Sequence, residues 1–256
     1  MLPAISPAAI LAMLCSALGG GEFRARAQDA RNAVQQVGGY TFQRMELSNA
    51  SPVSPDAAQQ SGLGDAAPHA IIRDIRFPRI DGQQTPQVQR FNELVAQQPQ
   101  FGPEDSTNEV VTYQIAYAGP ELISVRFDVS EDALGAAHPN GTYRAVTVLM
   151  SEGRALTEGD VFKPNSGWQQ FVTQWAVRDL THQFSDYQFT PPERDVQESA
   201  TKPHLWLVTA RGLTILFPPY SFGGAYALGG AEVTIPWGDL APYLNPSAPA
   251  PIRPSA

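Results

Sequence analysis

The chain has 256 residues, 43% of them hydrophobic, which is enough for one large or two small domains with real cores. Its formal net charge of −8 gives neither nucleic acid nor an anionic membrane surface an electrostatic reason to bind. Cys15 is the only cysteine, which excludes an internal disulfide framework and, with no second sulfur, a thiolate zinc site.

Residues 3–20 form an apolar run followed by Ala25-Arg26-Ala27, a small-x-small pattern that predicts a secretory signal over residues 1–27, cleaved before Gln28. Cleavage there removes Glu22, Arg24 and Arg26 and takes the net charge from −8 to −9. The mature protein is then periplasmic or secreted with no membrane span. Cys15 offers a lipoprotein alternative, although Leu14 stands where such sites carry a small residue.

Tyr40 to Leu47 reads as a strand, and the Ser, Ala, Pro, Gln and Gly of residues 48–68 as a long loop. Ala70 to Ile80 is a second strand. Thr85-Pro86 supplies an N-cap and a first-turn proline for a helix that places Val88, Phe91 and Val95 on one face. Val111, Tyr113, Ile115 and Tyr117 alternate with polar or small residues, as do Ile123, Val125, Phe127 and Val129, and Gly119-Pro120 joins the two runs as a hairpin. One apolar face per strand predicts an antiparallel sheet covered on one side.

Thr142 to Met150 is a further strand, Glu152-Gly153 a turn and Leu156 to Phe162 a short return segment. Trp168, Phe171, Val172, Trp175, Ala176 and Leu180 recur at helical spacing. Leu205 and Leu207 mark another strand, then Gly212 to Phe217, stopped by Pro218 and Pro219, which cannot donate to a ladder. Val233 to Ile235 precedes a helical turn carrying Trp237, Leu240 and Leu244. The four prolines among small residues after Asn245 predict a disordered tail over 245–256. The fold class is therefore α+β: an antiparallel sheet packed on one face by helices, with a smaller N-terminal subdomain over 28–107 and a larger C-terminal domain over 108–244.

Catalytic signatures are absent from the sequence. It holds no GxSxG elbow, no phosphate-cradling GxxxxGK[ST] and no HExxH, and His69, His138, His182 and His204 have no metal-ligand spacing. Glu131 and Asp132 are adjacent at a strand end, where their side chains diverge. No catalytic residue, cofactor or metal is assigned. One segment presents a polar group on a small-residue loop: GAAHPN, Gly135 to Asn140. His138 there has three readings, a backbone bond that pins the hairpin, a partner contact, or catalysis. The glycine-rich loop with Tyr220 and Tyr226 is the other exposed candidate, so the possible partner-binding residues are Gly135, His138, Asn140, Tyr220 and Tyr226.

GAAHPN with its following strand, GRALTEGDVF, the aromatic helix, GLTILFPPY and VTIPWGDLAPYL together resemble the RsiV-like C-terminal domain family, an extracytoplasmic domain of unknown function, over roughly 108–244. IRFPRIDG and its helix look like the smaller domain that precedes it in RsiV and in the peptidoglycan deacetylase PdaC. Ala136 stands where the family carries a second glycine, and Ser221 and Phe222 where relatives often carry an acidic residue and a valine. The resemblance implies an exported bacterial module that binds or senses a cell-envelope ligand. In RsiV the domain is a lysozyme receptor, which makes a lysozyme-like cationic hydrolase the sharpest expected partner and a peptidoglycan fragment the next. A peptidoglycan-acting enzyme using His138 and a structural envelope protein are the alternatives.

Overall fold

The computed structural model describes residues 34–98 and 106–253; the expected signal segment and Cys15 lie outside the described residues. After β1 (Val34–Val37), β2 (Tyr40–Pro52) pairs antiparallel with β3 (Ala70–Ile80) from Phe42↔Ile80 to Pro52↔Ala70. The expected loop over 48–68 is therefore corrected. Ser48, Asn49 and Ala50 continue the ladder opposite Asp74, Arg73 and Ile72, because ladder bonds use backbone and tolerate polar side chains. Then comes a helix, α1 (Pro55–Gln60), where Ser54 Oγ accepts from Ala57 N–H at 3.1 Å and Pro55 opens the first turn. Ser-Pro-Asp has loop composition, yet the same residues are helix-start chemistry.

Helix α2 (Pro86–Ala96) starts as its sequence predicts: Thr85 Oγ1 accepts from Val88 N–H at 3.3 Å, and Val88, Phe91 and Val95 are buried. Asn92 locks it to the end of β3, its side-chain oxygen accepting from Ile80 N–H at 2.8 Å and its amide donating to Ile80 O at 3.3 Å. Four strands follow: β4 (Thr107–Ala118), β5 (Leu122–Ala133), β6 (Asn140–Leu149) and β7 (Arg154–Ala155). The large sheet has seven strands in chain order. It is mixed rather than wholly antiparallel, since β3 and β4 pair parallel through Arg73↔Glu109 and Ile75↔Val111. A parallel pair needs a crossover, and α2 supplies it.

The second face of this sheet is not wet. Ile123, Val125, Phe127 and Val129 of β5 point into the core beneath α2. On the opposite face Ser124 is fully buried, its hydroxyl 2.8 Å from that of Thr147 and accepting from Val208 N–H at 3.0 Å. Hydroxyls that satisfy one another and a strand amide can be buried without the penalty of an unpaired polar group. A row of Ser and Thr thus looks solvated in sequence while lining a sheet-on-sheet contact.

Packed there is a three-stranded antiparallel sheet, β8 (Trp206–Val208), β9 (Gly212–Phe217) and β10 (Ala231–Pro236). Gly212 is required at its position: a Cβ there would lie 2.2 Å from the Ile235 carbonyl oxygen on the paired strand. Leu216 of β9 meets Ala145 of the large sheet, whereas Leu213, Ile215 and Phe217 face the other way. That outer core contains α3 (Glu158–Val161), α4 (Trp168–Gln183), α5 (Glu193–Ala200) and α6 (Trp237–Leu240). Phe162 and Trp168 stack at 4.3 Å, and Trp206 meets both edge-on at 5.5 and 5.4 Å, its indole N–H donating to Ala200 O at 2.7 Å. The order of layers is helix, large sheet, small sheet, helices, an α+β architecture.

Two more expectations change. The return strand is only the two residues of β7, ahead of the expected Leu156 to Phe162, most of which forms α3 instead. The tail is not disordered through Arg253. Asn245 N–H donates to Val161 O at 2.8 Å, Ala250 N–H to Glu121 at 3.1 Å, and Ala248 and Ile252 are 1% and 0% exposed in the outer core. A proline-rich segment needs no ladder to be fixed when its few apolar side chains find pockets. Gln36–Ala256 forms one compact unit, and the 107/108 boundary expected from sequence falls at the start of β4, inside the large sheet.

Candidate functional site

The two loops singled out in the sequence meet. After β5 the chain turns at Gly135, whose φ of +77° favours glycine and whose missing Cβ would sit 2.3 Å from the Ser61 carbonyl oxygen just beyond α1. That close approach brings the loop over α1 and presents His138. The His138 ring stacks on Tyr226 with centroids 4.1 Å apart and planes 17° from parallel. Its Nδ1 donates to the neighbouring Pro139 carbonyl at 3.0 Å, and the Tyr226 hydroxyl donates to the same oxygen. One carbonyl therefore fixes both rings.

Tyr226 begins a short 3-10 turn, Tyr226–Leu228. Tyr220 lies 5.4 Å from it, is 54% exposed, and holds a φ of +68°, a left-handed conformation that is uncommon for a bulky residue. The reason is local. Pro218 and Pro219 end β9, Ser221 N–H closes back on Pro218 O at 3.1 Å, and Gly223 N–H on Tyr220 O at 3.2 Å. Phe222, fully buried and stacked on Phe184 at 5.3 Å, anchors the turn from below, so Tyr220 is left facing out. Backbone strain of this kind, on the order of 1–3 kcal/mol, persists only where the surroundings enforce it.

Of the expected site residues, His138, Tyr220 and Tyr226 form one ring cluster, with His138 and Tyr220 exposed and Tyr226 half-buried. Gly135 shapes the loop without joining it. Asn140 is exposed and opens β6 opposite Glu131, so it serves the ladder rather than the rings. Phe222, at one of the positions where the sequence departs from its expected relatives, belongs to the core. Among the described residues no group of three or more His, Cys, Asp or Glu could hold a metal ion, and no helix is long and apolar enough to cross a membrane. His204 falls elsewhere, in a cleft between β6, the end of α5 and the turn after β9, whose cationic lining the sequence reading missed.

Known proteins place these features in context. Residues 159–238, from α3 to α6, match the family model described as a protein of unknown function, DUF3298. A search of the curated proteins finds no match. Among solved structures, a DUF3298 family member from Bacteroides fragilis is similar with a TM-score of 0.53 and 14% identity, covering 83% of this chain and 96% of its own. A DUF3298 family protein from Pseudomonas aeruginosa aligns with a TM-score of 0.54 and 14% identity over 80% of this chain and 94% of its own. At such identity the likeness is one of fold. It extends well beyond 159–238, so the large sheet shares in it along with the aromatic outer layer.

Proposed function

We propose that this chain is a non-catalytic, exported binding module whose contact surface is the ring cluster of His138, Tyr220 and Tyr226. The observation that carries the reading is Tyr220, a large side chain held outward in a strained backbone conformation on top of two stacked rings. Rigid aromatic side chains give contact area at low entropic cost, and they are over-represented where proteins meet. His138 directs Nδ1 to a backbone carbonyl, an arrangement that fixes its orientation.

The RsiV resemblance, joined to the excess of acidic over basic residues, makes a cationic lysozyme-like hydrolase of the cell envelope the partner to try first. A peptidoglycan fragment is the second. The test is binding of the full chain to a panel of lysozymes at low and high salt, with inhibition of their muramidase activity measured alongside. Saturable binding at micromolar concentration that weakens with salt, and falls about tenfold or more in Tyr220→Ala, is the expected result. An absence of saturable binding to every lysozyme, or a Tyr220→Ala variant that binds like the parent, overturns the lysozyme reading.

A further inference from the structure

The ring cluster contains one of two exposed tyrosines. Tyr187, 67% exposed against 54% for Tyr220, stands on the 3-10 turn Ser185–Tyr187 that follows α4. The two share a local pattern, Tyr187-Gln188-Phe189 and Tyr220-Ser221-Phe222, and each turn holds a non-glycine residue in the left-handed region, Gln188 at φ +51° and Tyr220 at φ +68°. Extended backbone would put a residue and its second neighbour on one face. The left-handed residue breaks that rule in both turns, so the tyrosine faces solvent and the phenylalanine turns in. Phe222 is fully buried, and Phe189 packs half-buried on the outer core.

The two inward rings meet. Phe189 and Phe222 lie 6.0 Å apart, edge to face, and Phe184 just past α4 stacks on Phe222 at 5.3 Å while lying 6.2 Å from Phe189 and 6.4 Å from the Tyr187 ring. One floor of three phenylalanines therefore carries both turns. Their backbones close up as well: a Cβ on Gly223 would lie 2.7 Å from Pro192 and from the Asp195 carboxylate, and one on Gly224 3.5 Å from Phe189. The stretch 186–195 carries Asp186, Glu193 and Asp195 against Arg194, and the stretch 218–230 carries no charged residue. Asp186 and Glu193 are exposed and Asp195 is half-buried.

We propose, building on the ring cluster as a partner-binding surface, that this surface continues across the phenylalanine floor to Tyr187, where the second tyrosine and its neighbouring carboxylates receive lysine or arginine side chains of a cationic protein. A tyrosine face attracts a cation and a nearby carboxylate pairs with it, so this turn adds charge selection to the plain contact of the uncharged one. Size also calls for a second anchor. A protein interface takes about 800 Å² from each side, and three part-exposed rings of at most about 250 Å² each fall short of it.

The experiment is calorimetric titration of the full chain with the lysozyme panel and with a peptidoglycan fragment, at low and high salt. Tyr187→Ala should weaken lysozyme binding about fivefold or more, and Tyr187→Phe should stay within about twofold of the parent. Asp186→Lys should lose about fivefold at low salt and recover most of it at high salt. Thermal melts should move little in all three, because both side chains are exposed. Leu47→Ala, at an exposed position on β2, should bind like the parent. Lysozyme binding lost in Tyr220→Ala but kept in Tyr187→Ala overturns this inference and leaves the ring cluster standing, as does an equal loss in Leu47→Ala and Tyr187→Ala. A loss in Tyr187→Ala with none in Tyr220→Ala overturns the ring cluster and the two-anchor surface with it. A peptidoglycan fragment bound through Tyr220, with no lysozyme bound, overturns the cationic partner and spares the cluster, and binding of neither removes both.

Discussion

Two ring clusters of similar make-up sit in the C-terminal half of this molecule. Phe162, Trp168 and Trp206 are all less than 5% exposed, with the one indole N–H of Trp206 satisfied by Ala200. His138 stacks on Tyr226 with Tyr220 tilted against it, yet these rings lie near the surface, the first two held through one carbonyl, Pro139 O, and Tyr220 by its own turn. Stacking alone contributes about 0.5–1.5 kcal/mol per pair, whereas burying a large ring removes some 150–250 Å² from water. Burial, not ring geometry, separates a core from a contact face. The inner cluster belongs to the core, and the outer one is the surface proposed for a partner.

Removing the inner cluster's centre breaks the comparison most severely. Trp206→Ala should lower unfolding free energy by about 3–5 kcal/mol in urea denaturation, because it leaves a cavity under Phe162 and Trp168 and an unpaired carbonyl at Ala200. Ile252→Ala comes next. Its side chain is fully buried in the same core, so a loss of about 2–4 kcal/mol is expected from a segment whose composition suggests none. A variant as stable as the parent would return the tail to the disordered reading.

That tail shows which parts of the fold were legible in the sequence. The strands at Ala70–Ile80 and Gly212–Phe217 and the Thr85-capped helix were legible because their signals are local: alternation, a cap, a proline stop. Ser48–Pro52, Ser124 and Ile252 were not. Each has a composition that suits solvent, and each is fixed by a partner far along the chain: β3, Val208 or the outer core. Helix α5 was hidden for a related reason, having only Val196 and Ala200 as buried apolar residues. The site divides in the same way. Small residues and tyrosines marked both loops as exposed, but the contact of Tyr226 with Pro139 spans 87 residues. The cationic cleft draws on β6 and on the residues after α5, and no sequence window holds both.

A smaller effect sharpens the boundary of the inner layer. Asp160 in α3 accepts two bonds from Arg154, each at 2.7 Å, and bonds from the Thr157 amide and hydroxyl at 2.8 and 2.7 Å. The Arg154 bonds first, with the Thr157 bonds and despite partial burial, hold its pKa at about 2, against 3.8 for a free aspartate. With the folded pKa lowered, this stabilisation is fully present above 3.8 and is lost as pH falls towards and through about 2. Arg154 is 41% exposed, so solvent screening reduces the effect. Asp160→Asn should cost about 1 kcal/mol at neutral pH. The difference from the parent should shrink as pH falls through about 2 and vanish below it, and a gap that did not shrink there would point to shape rather than charge.

The smallest effect on stability is expected at Tyr220, and it decides most about the outer cluster. Alanine there removes one ring contact with Tyr226 and leaves the backbone strain in place, so the loss should stay below about 1 kcal/mol. Glycine relieves the left-handed strain at φ +68° but adds freedom to the unfolded chain, so Tyr220→Gly should match or slightly exceed Tyr220→Ala in stability. Thermal melts of the two variants read both terms. If alanine instead costs several kcal/mol, the ring cluster closes the fold as the inner one does, and the strained tyrosine no longer argues for a partner. If the melts barely move while partner binding falls, the strain is kept for the contact it presents.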